Sequence, residues 1–340
     1  MARIRPSVKD IIDARRITLI KHWMAAAALC AVLPSAAFAE SKHCDRACMT
    51  ALTDQYLAAL VKHDPAGLPF SKGVRFTENT AEIRIGDGLW VGASEAPTTF
   101  KIYAVDPASN QAGFYGVMKE NNRPLIIALR LKVVDGEITE IEHVLARNLR
   151  ADRMQNLITP RAALLADLPA VERTSREDMI NAANSYFEAI EHGDGEIAPF
   201  AEDCERHENG GQTTHNATPV PWPVPMGSPE ADHAMAILGT LTCTAQVNSQ
   251  ILSFITRLWP RRLGLVDEQK GLVYAFPMFQ HRGAVRTIKI KGVPGVDTIQ
   301  MNGGTSNLQA GEIFKIRSGK IHEIEAMGTS LPYGTKSGWE

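Results

Sequence analysis

Between residues 46 and 63 the side chains Ala47, Leu52, Tyr56, Ala59, Leu60 and His63 follow the spacing of an amphipathic helix. Asp64-Pro65 stops it, because the residue before a proline is pushed out of helical geometry. The pattern then turns β-rich over 75–85, 100–105, 113–119, 125–134 and 138–146, with Asp135-Gly136 marking a tight hairpin between the last two. A helix followed by an antiparallel meander predicts an α+β unit whose sheet curls around the helix.

The pattern occurs twice. Residues 56–80 align without a gap to residues 186–210, with identities at Tyr56/Tyr186, Ala59/Ala189, Asp64/Asp194, Pro69/Pro199, Phe70/Phe200, Glu78/Glu208 and Asn79/Asn209. Downstream, Phe114-Tyr115-Gly116-Val117 answers Val273-Tyr274-Ala275-Phe276, and the run from Lys132 to Glu142 answers that from Lys315 to Glu325. The offset grows from 130 to 183, so the second copy carries extra chain, held mainly at 216–240 and 292–309. Pro219, Pro221, Pro223, Pro225 and Pro229 predict that the first insertion is a loop or an extended cover. The expected organisation is a tandem of two related α+β domains, 40–150 and 175–340, joined by a linker at 151–174.

The first 39 residues change the setting. Six basic side chains precede an apolar run from Trp23 to Leu33 that ends in Ala37-Phe38-Ala39, the plan of a signal peptide cleaved after Ala39. The run is shorter than the roughly 20 residues that span a bilayer, so a membrane anchor is not expected. Arg15-Arg16 with Leu19 and Lys21 resembles a twin-arginine signal in part, but an ordinary basic leader fits the surrounding positions better. Loss of the leader removes six basic and two acidic residues and leaves a net charge of −6. With no basic stripe, that balance excludes nucleic acid as an expected partner.

Periplasmic or secreted cysteines oxidise, and the four that remain pair by spacing as Cys44–Cys48 and Cys204–Cys243. Cys44 and Cys48 with His43 could form half of a zinc site, but no second close pair completes it, so no metal is expected.

A helix, HDPAGLPF, VRFTEN and strands closing on DGEITEIE resemble the opening and closing signatures of the SnoaL-like branch of the nuclear transport factor 2-like superfamily, and both halves carry them. The chain is also similar to a group of secreted bacterial and fungal proteins with two such units. The resemblance implies two cone-shaped α+β half barrels, each with a mainly apolar pocket. Such cones serve as cofactor-free isomerases, dehydratases, hydrolases and cyclases, or as binding and dimerisation modules, so homo-oligomer formation stays open. The expected function is a cofactor-independent lyase, isomerase or hydratase acting on a small, partly apolar molecule. The alternative is a non-catalytic small-molecule-binding or scaffold protein.

The residues offer candidates. Glu78 and Glu208 stand where ketosteroid-isomerase-like members project a carboxylate base. A desolvated carboxylate there can titrate near neutrality, and the adjacent Asn79 or Asn209 can hold a substrate oxygen. Asn209-Gly210-Gly211 also reads as a plain turn. The second copy adds His207 beside Glu208, with Arg257 and His281 as substrate-binding candidates, Arg257 for an anionic group. Neighbouring strand residues face opposite ways, so His207 and Glu208 share a pocket only across a bulge. Tyr115 and Tyr274 could offer hydroxyls to a ligand or serve as packing. No Ser/His/Asp order, phosphate loop or His-Glu-x-x-His appears, which disfavours hydride and phosphoryl transfer. The richer second copy is expected to carry the site.

Overall fold

The computed structural model describes residues 44–220, 228–301 and 304–340, which form one compact unit. The expected leader and its cleavage point lie outside the described residues.

In the first half, α1 (Arg46–Lys62) begins where the Asp45 carboxylate accepts the Cys48 N–H at 2.9 Å, and ends on His63 in a left-handed turn. β1 (Phe70–Glu78) turns through Asn79 and Thr80, both at positive φ, into β2 (Ala81–Glu82). The short α2 (Leu89–Gly92) and β3 (Ala93–Glu95) lead to β4 (Lys101–Asp106), β5 (Gln111–Glu120), β6 (Arg123–Val134) and β7 (Glu137–Ala146). The hairpin at Asp135-Gly136 has both residues at positive φ, which suits the twist of the strands it joins. The sheet order is β2-β1-β7-β6-β5-β3, with β4 also on β5, and β1 runs parallel to β7.

The second half repeats this path. After α3 (Ala162–Leu165) in the connecting segment, α4 (Arg176–His192) is capped by Ser175 and followed by β8 (Phe200–Glu208) and β9 (Gly211–Gln212). Then come α5 (Pro229–Leu238), α6 (Cys243–Asn248), β10 (Arg257–Asp267), β11 (Leu272–His281), β12 (Thr287–Lys289), β13 (Thr298–Gln300), β14 (Ser306–Arg317) and β15 (Lys320–Pro332). The sheet reads β10-β11-β14-β15-β8-β9, and β8 is parallel to β15 as β1 is to β7. Both sheets are curled, mixed α+β half barrels.

Each sheet has a helix side and a far side. On the helix side of the first, Tyr56, Leu57 and Leu60 of α1 pack with Phe76, Leu129, Ile141 and Leu145. In the second, Tyr186, Phe187 and Ile190 of α4 pack with Phe279, Phe314 and Ile324. The far sides close on each other in a shared core that joins Tyr115, Ile126 and Val144 to Leu265, Tyr274, Phe276 and Ile313.

Reciprocal ion pairs seal this contact. Arg46, first residue of α1, donates to Asp267 at 2.6 and 2.7 Å, and Asp267 also accepts the Val105 N–H at 3.0 Å. Arg176, first residue of α4, donates to Asp106 at 2.6 and 3.0 Å, and Asp106 accepts the Val266 N–H at 2.9 Å. Each half therefore ends its fourth or tenth strand on a buried carboxylate that the other half neutralises.

Two expectations are corrected. Part of the Pro-rich insertion is helical: Ser228 caps α5, and Pro229 occupies the first turn, where its missing N–H costs nothing. Residues 221–227 and 302–303 lie outside the described residues. Ala231, Met235 and Leu238 of α5 pack with Ile251, Ile288 and Ile299 in a separate small core, and Leu252 and Phe254 touch both it and the core under α4. The insertions thus form a cap over the second half barrel.

The second correction concerns register. The ladder Gly113–Arg130–Glu142 matches Tyr274–Ile313–Glu325, so Tyr274 stands at the place of Gly113 rather than of Tyr115. The exchange is steric: a Cβ on Gly113 would lie 2.4 Å from the Tyr274 ring.

Both disulfides form as the spacing suggested. Cys44–Cys48 staples the start of α1, and Cys204–Cys243 ties β8 to α6 under the cap.

Candidate functional site

The helix tyrosines organise the polar interior of both half barrels. In the first, Tyr56 Oη is 2.9 Å from His143 Nε2, and His143 Nδ1 lies 3.7 Å from Glu78 Oε2. Glu78 also accepts the Leu89 N–H at 2.8 Å and Arg147 Nη2 at 3.1 Å. Desolvation works to raise this carboxyl, but His143, Leu89 N–H and Arg147 together hold it below the ordinary carboxylate range. Tyr56, His143 and Trp90 are fully buried, and Trp90 packs edge-on against Tyr56.

In the second half barrel the basic group moves one strand over. Arg206 on β8 stands where Phe76 stands on β1, and Ala326 on β15 replaces His143 on β7. Arg206 Nε donates to Tyr186 Oη at 2.9 Å, Nη1 to Thr213 Oγ1 at 3.1 Å and Nη2 to Glu208 Oε2 at 2.8 Å. The same Nη2 lies 3.6 Å from Oε1 of Glu312 on β14. Glu312 is fully buried, and its Oε2 has no partner. Burial, opposed by Arg206 and reinforced by the Glu208 charge, pushes Glu312 up to about 7. Two carboxyls thus share one guanidinium in unequal surroundings, the arrangement that separates a proton donor from a proton acceptor.

His281 is the last residue of β11. Its ring packs on Phe254 with centroids 5.2 Å apart, and Nδ1 is 3.2 Å from Ser306 Oγ. Burial lowers its pKa, and the charge of Glu208 acts in the opposite direction.

Among the candidates read from the second copy, Glu208 joins Arg206 and Glu312, whereas His281 packs on Phe254 and Ser306 and the others lie elsewhere. His207 faces the far side, where Nε2 meets Glu205 Oε1 at 2.7 Å, because alternation along β8 is not interrupted there. Asn209 is a clamp: its Nδ2 donates to Gly328 O at 3.2 Å and its Oδ1 accepts the Gly328 N–H at 3.1 Å. Asn79 does the same to Leu145, at 3.4 and 2.8 Å. Both amides are spent on backbone, and both residues sit at positive φ in the turn after the strand.

Arg257 pairs with Gln280 along the edge of the sheet and lies over Trp259, away from the helix side. Tyr115 and Tyr274 donate to Ala326 O at 3.0 Å and Phe114 O at 3.1 Å inside the contact between sheets. Burial raises both phenols well above their ordinary value.

Sequence reasoning missed Arg206, Tyr186 in its polar role, and Glu312. The signal for Glu312 was an acid at the position matched by the apolar Leu129 of the first copy. No metal-binding group of His, Cys, Asp or Glu occurs among the described residues. A broad surface hollow of about 680 Å³ over the start of α4 is lined by none of these groups.

The family model for a domain of unknown function (DUF8021) matches residues 172–328, from just before α4 into β15. Comparison with curated proteins gives no match. Among solved structures, the chain is similar to one described as a candidate ketosteroid isomerase from Kribbella flavida DSM 17836, at 15% identity and a TM-score of 0.25, over 36% of this chain and 90% of that one. A TM-score that low bears no weight for the fold or the chemistry of this chain.

Proposed function

We propose that the second half barrel is the working site of a cofactor-independent enzyme that moves a proton on a small, partly apolar molecule, as a lyase, isomerase or hydratase does. The reading rests on Glu312, a buried carboxyl with one oxygen unpartnered and a pKa near 7. Glu312 is assigned as the group that gives and recovers the proton, and Glu208, ion-paired to Arg206, as the carboxylate that accepts one. Arg206 and Tyr186 position both. The cap of α5, β12 and β13 would keep water from the cluster. The first half barrel, filled by Trp90 and Tyr56, is assigned a supporting role, which amounts to two duplicated domains of which one has specialised.

A second reading has an observation of its own. All three nitrogens of Arg206 are engaged with Tyr186, Thr213 and Glu208, as expected if the cluster only holds the barrel together around a bound ligand. A thermal-shift screen of ketones, hydroxy acids and aromatic metabolites, followed by turnover assays on the hits with wild type and Glu312→Gln, separates the two. Turnover lost in Glu312→Gln with binding retained supports the enzyme. Binding without turnover in the wild type supports the carrier.

We also propose export to an oxidising compartment with a mature N-terminus at Glu40. The two disulfides support it, and no helix among the described residues is long and apolar enough to cross a membrane. Intact-mass measurement of the protein recovered from the cell envelope decides it; retention of residues 1–39 would overturn it.

A further inference from the structure

The two disulfides sit in unlike surroundings. Cys204 and Cys243 are both buried, and the bond that joins them across 39 positions of sequence lies under the cap. Cys44 is also buried, in the core under α1, but Cys48 in the first turn of that helix is exposed. Thiol–disulfide exchange needs access to a sulfur. Of the two bonds, Cys44–Cys48 is therefore the one that an external thiol can reach.

The ring closed by this bond encloses Asp45, Arg46 and Ala47. Asp45 caps α1 by accepting the Cys48 N–H at 2.9 Å. Arg46 crosses to the other half, where it donates to Asp267 at 2.6 and 2.7 Å and to Val105 O at 3.2 Å. Asp267 is fully buried, and besides Arg46 it accepts the backbone N–H groups of Val105 and Lys270, at 3.0 and 3.1 Å. A loop as short as this one contributes less through the unfolded chain than the longer Cys204–Cys243 loop does. In the folded protein the ring holds the backbone beneath Arg46, so less conformational entropy is lost when the guanidinium meets Asp267.

The second half supplies an internal comparison. Arg176 opens α4 and makes the equivalent pair with Asp106, yet no cysteine flanks it. Its approach is held by other means: Ser175 Oγ accepts the Asp178 N–H at 3.2 Å, Arg173 Nε donates to Leu168 O at 3.0 Å, and Thr174 Oγ1 accepts the Gly319 N–H at 2.9 Å.

We propose that Cys44–Cys48 is a redox-sensitive latch on the contact between the half barrels: a dithiol opens it while Cys204–Cys243 stays closed, and opening it loosens the hold of Arg46 on Asp267. In the first step a thiolate of the dithiol attacks Cys48 Sγ, the bond to Cys44 breaks, and Cys44 leaves as a thiolate that takes up a proton. The second sulfur of the reductant, as its thiolate, then attacks the first in the mixed disulfide and releases Cys48, which is protonated in turn. The protein gains two electrons and two protons, and the dithiol ends as a cyclic disulfide. The latch is separate from the Glu312 cluster and does not depend on the function proposed for it.

The first test treats the native protein with dithiothreitol, traps free thiols with iodoacetamide at intervals and maps them by mass spectrometry. Cys44 and Cys48 should be alkylated at least about tenfold faster than Cys204 and Cys243. The second reads the melting temperature of Cys44→Ser/Cys48→Ser in three backgrounds. In wild type the double replacement should lower it by at least about 2 °C. On Arg46→Met the further drop should be less than about half as large, because latch and ion pair act on one contact, whereas on Arg176→Met it should be undiminished. Equal alkylation rates, no drop in wild type, or a drop that Arg46→Met diminishes no more than Arg176→Met does, overturns the proposal. Should the serine variant fail to fold, wild type, Arg46→Met and Arg176→Met melted before and after selective reduction give the same comparison.

Discussion

Glu208 and Glu312 face one guanidinium from two strands, 2.8 and 3.6 Å from Arg206 Nη2, yet one is ion-paired in a partly accessible position and the other is sealed in with a bare oxygen. This inequality makes the pair testable by pH. Glu312 binds its proton more tightly folded than unfolded, so its contribution to stability is complete below the unfolded value of about 4.5 and is lost as pH rises through about 7. Glu312→Gln should leave the melting temperature near that of wild type at pH 5 and raise it at pH 8, by the equivalent of up to about 3 kcal/mol, while abolishing any turnover. A variant destabilised at pH 8 would show that the carboxylate is held, not strained, by its surroundings.

Arg206 should be far less replaceable than either acid. Arg206→Met leaves two carboxyls and a tyrosine hydroxyl buried without their cation, at a cost of about 3–5 kcal/mol. Denaturant unfolding measures it. His143→Ala in the first half barrel should cost less, because Glu78 retains Arg147 and the Leu89 N–H.

The paired clamps make the opposite prediction about activity. Asn79→Ala and Asn209→Ala each remove two hydrogen bonds to a neighbouring strand and should each cost about 1–3 kcal/mol, with any turnover of the surviving folded protein unchanged. Loss of turnover in a stable Asn209→Ala protein would return Asn209 to the site.

Of the crossed ion pairs, that of Asp106 makes stability sensitive to acid. Asp106 is raised by desolvation, but Arg176, Ser109 and the Val266 N–H outweigh this and hold it below its ordinary value. Its stabilisation is therefore present above the unfolded value of about 4 and lost as pH falls through the folded one. Arg176→Met should cost about 2–3 kcal/mol at pH 7, on the low side for a broken buried pair because the arginine keeps about a third of its surface in water. Arg46→Met should cost a similar amount, and in Arg176→Met the deficit should shrink below about pH 4. Equal stability of wild type and variants at pH 7 would show that the contact is held by its apolar core alone.

Breaking the cap disulfide should act mainly through the unfolded chain. Replacing Cys204 and Cys243 together by Ser should cost about 3–4 kcal/mol for a closed loop of this length. The variant's melting temperature, compared with wild type under oxidising conditions, measures the loss.

The helix, the meander and the hairpin at Asp135-Gly136 were legible because each obeys a period or a turn rule that local chemistry enforces. The doubled pattern was legible because Tyr56/Tyr186 and Glu78/Glu208 sit at one offset. The interior chemistry was not. Its basic group comes from β7 in one half barrel and β8 in the other, so His143 and Arg206 share no alignment column, and only the pairing of parallel strands brings them to the same tyrosine position. Glu312 was hidden for a related reason: a strand pattern says that a position is buried, but not which charges two strands away make an acid tolerable there. For the tyrosines of β5 and β11 the choice between ligand contact and packing was not legible, because alternation fixes that a residue points to one side, while the contact between two sheets decides what that side faces.

The crossed pairs also constrain the order in which this molecule can be completed. Arg46 waits for a partner 221 residues further along the chain, so as the polypeptide emerges N-terminus first, the ion pair at the start of the first half barrel cannot form until the strand ending at Asp267 has been made. The half that is synthesised first is therefore completed only with the help of the half that follows.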